Sequence, residues 1–176
     1  MVIDGQLKAL AELVFVGEIV NQAKFAERAA ERLKATTDDI DPVEVWGAIR
    51  SILIAAGNVS KILWPPRKTS AERGEMLREL LDVDDRNPLS DRHFRNHFEH
   101  YDERIEDWFA ESGSAVCIDS RIDPFDSPWG RNPANFHRGY NPLTKTLTFR
   151  GESTDLAAIL SALQEIRHKC RYLARP

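Results

Sequence analysis

The chain of 176 residues carries 24 basic and 28 acidic side chains, for a formal net charge of −4, and 42% of its residues are hydrophobic. That balance argues against a protein that coats nucleic acid non-specifically, although a small basic site could still touch RNA. The length suits one domain, 1–176, with a core that needs no metal or disulfide staple. Two cysteines, Cys117 and Cys170, are too few for a disulfide framework and read as reduced packing residues. No run of 18 uncharged apolar residues offers a membrane span, and Asp4 precedes any basic residue, unlike a secretory signal. The expected location is cytoplasmic.

Residues 5–34 lack proline and are rich in Ala, Leu, Glu, Lys and Arg, which predicts a long helix. Within it Leu13-Val14-Phe15-Val16 is apolar on more than one side, so this helix is expected to meet two neighbours, one of which could be another subunit. Asp41-Pro42 reads as an N-cap with proline in the first helical turn. The stripe Val45, Trp46, Ile49, Ile52, Leu53, Ala56 and Leu63 follows at helical spacing until Trp64-Pro65-Pro66 stops it. A shorter helix after Ser70 places Leu77, Leu80 and Leu81 on one face and ends in the polar run from Asp82 to Pro88. The fourth helix is predicted over about 90–112, with the seam Phe94, Phe98, Tyr101, Ile105 and Trp108, and with Gly113 ending it.

Past Gly113 the texture changes. Ala115–Ile118 and Thr146–Phe149 read as two short strands of a hairpin or ribbon. Pro124, Pro128, Pro133 and Pro142, with Gly130 and Gly139, predict a long irregular loop between them over 119–145. Ser153 or Thr154 then caps a last helix over about 154–174, with Leu156, Ile159, Leu160, Leu163 and Cys170 on one face. The expected fold class is mainly α: a bundle of about five helices, with a small β-hairpin and long loop inserted over about 114–150.

Three of the five histidines, His93, His97 and His100, share the fourth predicted helix. On an ideal helix with Phe94 at zero they fall at about −100°, −60° and −120°, along one flank of the apolar seam, while Arg95 falls near +100°. A solvated flank ordinarily carries Glu and Lys instead. The segment Arg95-Asn96-His97-Phe98-Glu99-His100 resembles the R-x(4–6)-H motif of HEPN domains, in which a polar residue such as Asn commonly follows the arginine. The resemblance covers residues 90–108; the rest matches in helical texture. It implies a compact helical fold, often a homodimer with a composite site at the interface, and in many members a metal-independent endoribonuclease acting as a toxin or in phage defence, sometimes with an antitoxin protein. Carried over, the motif makes Arg95, Asn96 and His100 the catalytic set. Arg92 and His97 fit the same pattern in a second register, so His97 is the alternate catalytic histidine.

The residue types suit that chemistry. Metal-free RNA cleavage must take a proton from the 2′-OH, stabilise charge at phosphorus and protonate the departing 5′-oxygen. Histidine exchanges protons near neutral pH, and arginine grips phosphate oxygens with a permanent charge. Arg95 and His100 lie about 140° apart on one ideal helix, which facing helices of a dimer would resolve, with Arg92 or Arg104 as local substitutes. Arg131, Arg138, Lys145 and Arg150 form a stretch without acidic residues, where Trp129, Phe136 and Tyr140 could stack on unpaired bases. Arg92, Arg104 and Arg138 are the expected substrate-binding groups. The acidic run Asp102-Glu103 and Glu106-Asp107 works against phosphate.

Two rival readings stand beside this one. A non-catalytic helical dimer would bind RNA or a protein partner. A histidine-rich metal bundle would use His93, His97 and His100, or Glu165 with His168, but the paired Glu-x-x-His motifs of di-iron bundles are not both present. No cofactor and no metal are expected, and neither cysteine has the setting of an activated thiol.

Overall fold

The computed structural model describes residues 5–36, 40–112, 116–123 and 135–173. The described residues are mainly helical and carry one small sheet. Helix α1 spans Gly5–Ala35 and α2 spans Pro42–Leu63. Asp41 caps α2 as expected, its side chain accepting from the Val43 and Glu44 amides at 2.9 and 3.4 Å. The predicted α2 stripe is buried along its length, and the helix ends at Trp64 before the two prolines.

A 3-10 turn, Lys68–Ser70, leads into α3, Ala71–Leu80. Leu77 and Leu81 enter the core, but Leu80 is exposed, because α3 offers α2 a narrower face than three leucines would fill. Val16, Ile19, Ala23 and Ala26 of α1 pack with Ala55, Ala56, Val59 and Leu63 of α2 and with Leu77 and Leu81. Small residues on α1 let the two long helices approach closely. On the far side of α1, Leu10, Leu13, Val14 and Phe25 are exposed.

The predicted single helix over 90–112 is two helices: α4, His93–Glu99, and α5, Tyr101–Ser112. His100 leaves the helical basin at φ −113°, ψ 42°. It still donates its amide to the Asn96 carbonyl at 2.9 Å and accepts from the Arg104 amide at 3.1 Å, so the chain bends there without losing those two bonds. Tertiary contacts account for the bend: α4 is held against α2 and β4, whereas Trp108 of α5 packs on His137. Asp102 and Glu103 in the first turn of α5 complement the dipole of a helix that starts there.

The predicted hairpin is a four-stranded sheet. Strands β1 (Arg121–Ile122), β2 (Arg138–Asn141), β3 (Thr146–Phe149) and β4 (Glu152–Asp155) lie in sequence order, β1 parallel to β2 and the rest antiparallel. Ala115 of the first predicted strand lies outside the described residues; over 116–118 the strand contributes an isolated parallel bridge, Ile118 to Phe136, and Cys117 beside it is exposed rather than packed. The sheet reaches into the expected loop because Asn141 folds an Asx turn, accepting from Leu143 and Thr144. Residues 124–134 of that loop, with Pro124, Trp129 and Arg131, lie outside the described residues. Leu147 and Phe149 point inward from β3 with Thr146 and Thr148 turned outward, and with Tyr140 they rest on Val45, Trp46, Ile49 and Leu53.

Helix α6, Leu156–Leu173, follows β4 directly. Its cap is Asp155, which accepts from the Ala157 and Ala158 amides; Ser153 and Thr154, the expected caps, belong to the strand. Leu163, Ile166 and Cys170 close the α1–α2 core, and burial raises the Cys170 thiol to about 11. Among the described residues, no helix is long and apolar enough to cross a membrane.

Candidate functional site

The bend at His100 separates the three histidines that an unbroken helix would have aligned. His93 and His97, one turn apart on α4, share one face. Both turn their Nε2 atoms to a single oxygen, Oε2 of Glu152, at 2.9 and 3.1 Å. The His97 ring stacks nearly parallel on Phe149, centroids 4.6 Å apart at 10°, and meets His93 edge-on at 4.9 Å. Its side chain is only 9% exposed, so packing fixes its orientation. The bond from His97, reinforced by His93, holds the Glu152 carboxyl below the usual range. One donor atom from each of the three residues falls within 4.8 Å of the others.

Glu152 reaches this position through a two-residue turn. Arg150 and Gly151, at φ 47° and 89°, join β3 to β4 and place Glu152 opposite Phe149. Positive φ at both central residues matches the right-handed twist of a tight hairpin, and glycine at the second accepts it without strain.

His100 faces elsewhere. Its imidazole is 51% exposed, and Nδ1 lies 3.4 Å from Oε1 of Glu103. Asn96 is one turn before it and Arg104 one turn after, with the Arg104 guanidinium 3.5 Å from Asp107. Arg92 is the N-cap residue of α4. Arg95 lies within α4, its side chain outside the described residues. Glu165, the carboxylate of the rival metal reading, pairs with Lys169 at 3.1 Å.

Arg138 sits under the bend in a network of its own. Its Nε donates to Oδ1 of Asp119 at 2.9 Å and its Nη2 to Oδ2, while Nη2 also reaches the Ser120 hydroxyl at 3.2 Å. The guanidinium lies 3.9 Å over the Tyr101 ring and 5.8 Å from that of Trp46. Burial alone would raise the Asp119 carboxyl, but the Arg138 bonds, with help from Tyr101 and Ser120, carry it well below the ordinary range. Burial, then the bond to Asp119, pushes the Tyr101 phenol up to about 12. The Arg138 donors expected to grip phosphate are thus engaged by a carboxylate.

His137 lies between these groups, almost fully buried, edge-on to Trp108 at 4.9 Å and near Phe149. Neither ring nitrogen has a hydrogen-bond partner among the described residues. Burial lowers its pKa, Arg150 and Arg138 add to that, and Asp119 opposes it.

Sequence reasoning found His93, His97 and His100 but missed Glu152 and Asp119. A signal for Glu152 was present in Arg150-Gly151, a turn dipeptide directly after the β-branched run Thr146–Phe149. No local signal marks Asp119, whose partner is 19 residues away. No family model, no curated protein and no solved structure matches the chain.

Proposed function

We propose that this chain is a metal-independent endoribonuclease of the HEPN type that acts as a homodimer. His100 serves as the general acid or base, Arg95 stabilises charge on the phosphate and Asn96 positions the pair. One observation carries the choice of His100 over His97. Its side chain is 51% exposed against 9%, so a phosphodiester can reach the first imidazole and not the second. Glu103, with Oε1 3.4 Å from Nδ1, orients the ring for proton exchange. Arg104, one turn on, is a second cation beside the scissile phosphate.

In the reaction one imidazole removes the 2′-OH proton as that oxygen attacks phosphorus. The P–O5′ bond breaks, a second imidazole protonates the 5′-oxygen, and a 2′,3′-cyclic phosphate remains. Two copies of His100, one from each protomer, supply both proton transfers. The exposed apolar row Leu10, Leu13, Val14 and Phe25 on α1 supports self-association, since it turns away from the core of its own chain. A second reading, a non-catalytic module that binds a protein partner, draws support from the acidic face of α5, where Glu106 and Asp107 follow Asp102 and Glu103.

Incubation of purified protein with end-labelled single-stranded RNA in excess EDTA tests the proposal. Fragments ending in a 2′,3′-cyclic phosphate are expected. Fragments with 3′-hydroxyl ends, or cleavage that only a divalent ion restores, would refute it.

A further inference from the structure

The cluster on the other side of α4 has a geometry of its own. His93 and His97 stand at i and i+4, the spacing that presents two imidazoles from one helical face. Glu152 closes the set from the start of a neighbouring strand, and both Nε2 atoms converge on its Oε2 at 2.9 and 3.1 Å. In a tetrahedral shell with zinc–ligand bonds of about 2.0–2.1 Å, donor atoms lie about 3.3 Å apart. The two imidazole–carboxylate separations are within a few tenths of an ångström of that edge, and all three donors lie within 4.8 Å of one another. His97 is the rigid member, stacked on Phe149. His93 and Glu152, with side chains 68% and 49% exposed, have the freedom to open the set by the small amount required.

We infer that His93, His97 and Glu152 bind one divalent first-row transition ion of the zinc type, contrary to the metal-free expectation from sequence. Two neutral imidazoles and one carboxylate are borderline-hard donors of the kind such ions prefer over calcium or magnesium. Three protein ligands leave the fourth position to water, and the exposed side chains put that position at the surface. A bound ion adds a tie between α4 and the β3–β4 hairpin, two elements far apart in sequence that already meet through His97 and Phe149. The site excludes His100, so this inference and the cleavage proposal fail separately.

The test uses full-length protein without a polyhistidine tag, stripped with EDTA and dialysed, then titrated calorimetrically with Zn²⁺ and spectroscopically with Co²⁺. One ion per chain is expected, with a Kd below about 10 µM and visible Co²⁺ bands of a four- or five-coordinate site. Glu152→Gln and His93→Ala change exposed side chains, so the fold survives, and each should weaken binding at least about tenfold. Cys117→Ser, which removes the exposed thiol, should leave affinity unchanged. A Kd above about 10 µM for the parent protein, unchanged affinity in both ligand variants, or loss of binding in Cys117→Ser would overturn the inference.

Discussion

Replacing Asp119 by Asn leaves the Arg138 charge without its counterion, stacked on Tyr101 and beside Trp46. Removing one partner of a fully buried ion pair costs about 3–5 kcal/mol. Here the two side chains remain 16% and 24% exposed, so solvent screens part of that loss, and about 2–3 kcal/mol is expected. For a chain of this size each kcal/mol lowers Tm by about 2–4 °C, which gives a fall of about 4–12 °C. Thermal unfolding followed by far-ultraviolet circular dichroism measures it. The double variant Asp119→Asn with Arg138→Met should recover at least half the loss, because an apolar side chain then occupies the ring stack with no stranded charge. A Tm for Asp119→Asn within 1 °C of the parent, or additive losses in the double variant, would refute the structural role of the pair.

His137 predicts an acid limb. Its folded pKa lies below its unfolded value, so the unfolded chain takes up the proton first. The stability it contributes is complete above about pH 6.5 and is lost as pH falls towards the folded pKa, at no more than about 1.4 kcal/mol per pH unit. Denaturant melts at pH 7.5 and 5.5 should therefore diverge in the parent and draw together in His137→Phe; parallel behaviour would contradict this. Tyr101 predicts the opposite limb, since its folded pKa is raised. Its stabilisation is intact below about pH 10 and fades as pH rises towards about 12, so Tyr101→Phe should flatten alkaline melts over that range. Gly74→Ala adds a methyl 2.7 Å from the Leu63 carbonyl and against Pro65, which should cost about 1–3 kcal/mol in chemical denaturation by forcing α3 away from the end of α2. An unchanged midpoint would show that this packing yields freely.

The helices that carry their own punctuation were legible. Asp41-Pro42 and Trp64-Pro65 bracket α2 with a cap and a stop that act within one turn, and its apolar stripe is buried as its period predicts. The bend at His100 was not legible from periodicity, because Phe98, Tyr101, Ile105 and Trp108 keep helical spacing across it. The acidic pair Asp102-Glu103, an ordinary start to a helix, was the sign to weigh. The sheet was half legible. Leu147 and Phe149 alternate with threonines, whereas Arg138–Asn141 has no such pattern and becomes a strand through pairing with β3. Arg138 illustrates the limit for the site: a basic stretch without local acids suggested phosphate, and its carboxylate arrives from Asp119 by tertiary folding.

The most direct test of the account compares RNA cleavage rates in EDTA for the parent protein and His100→Ala. The His100 side chain is 51% exposed, so the variant should fold with a Tm close to that of the parent. Loss of a general acid or base lowers the rate by about 10²–10⁴-fold, and that fall is the predicted result. Equal rates in the two proteins, or no cleavage by the parent with any single-stranded RNA, would contradict the assignment of His100 and the ribonuclease reading with it.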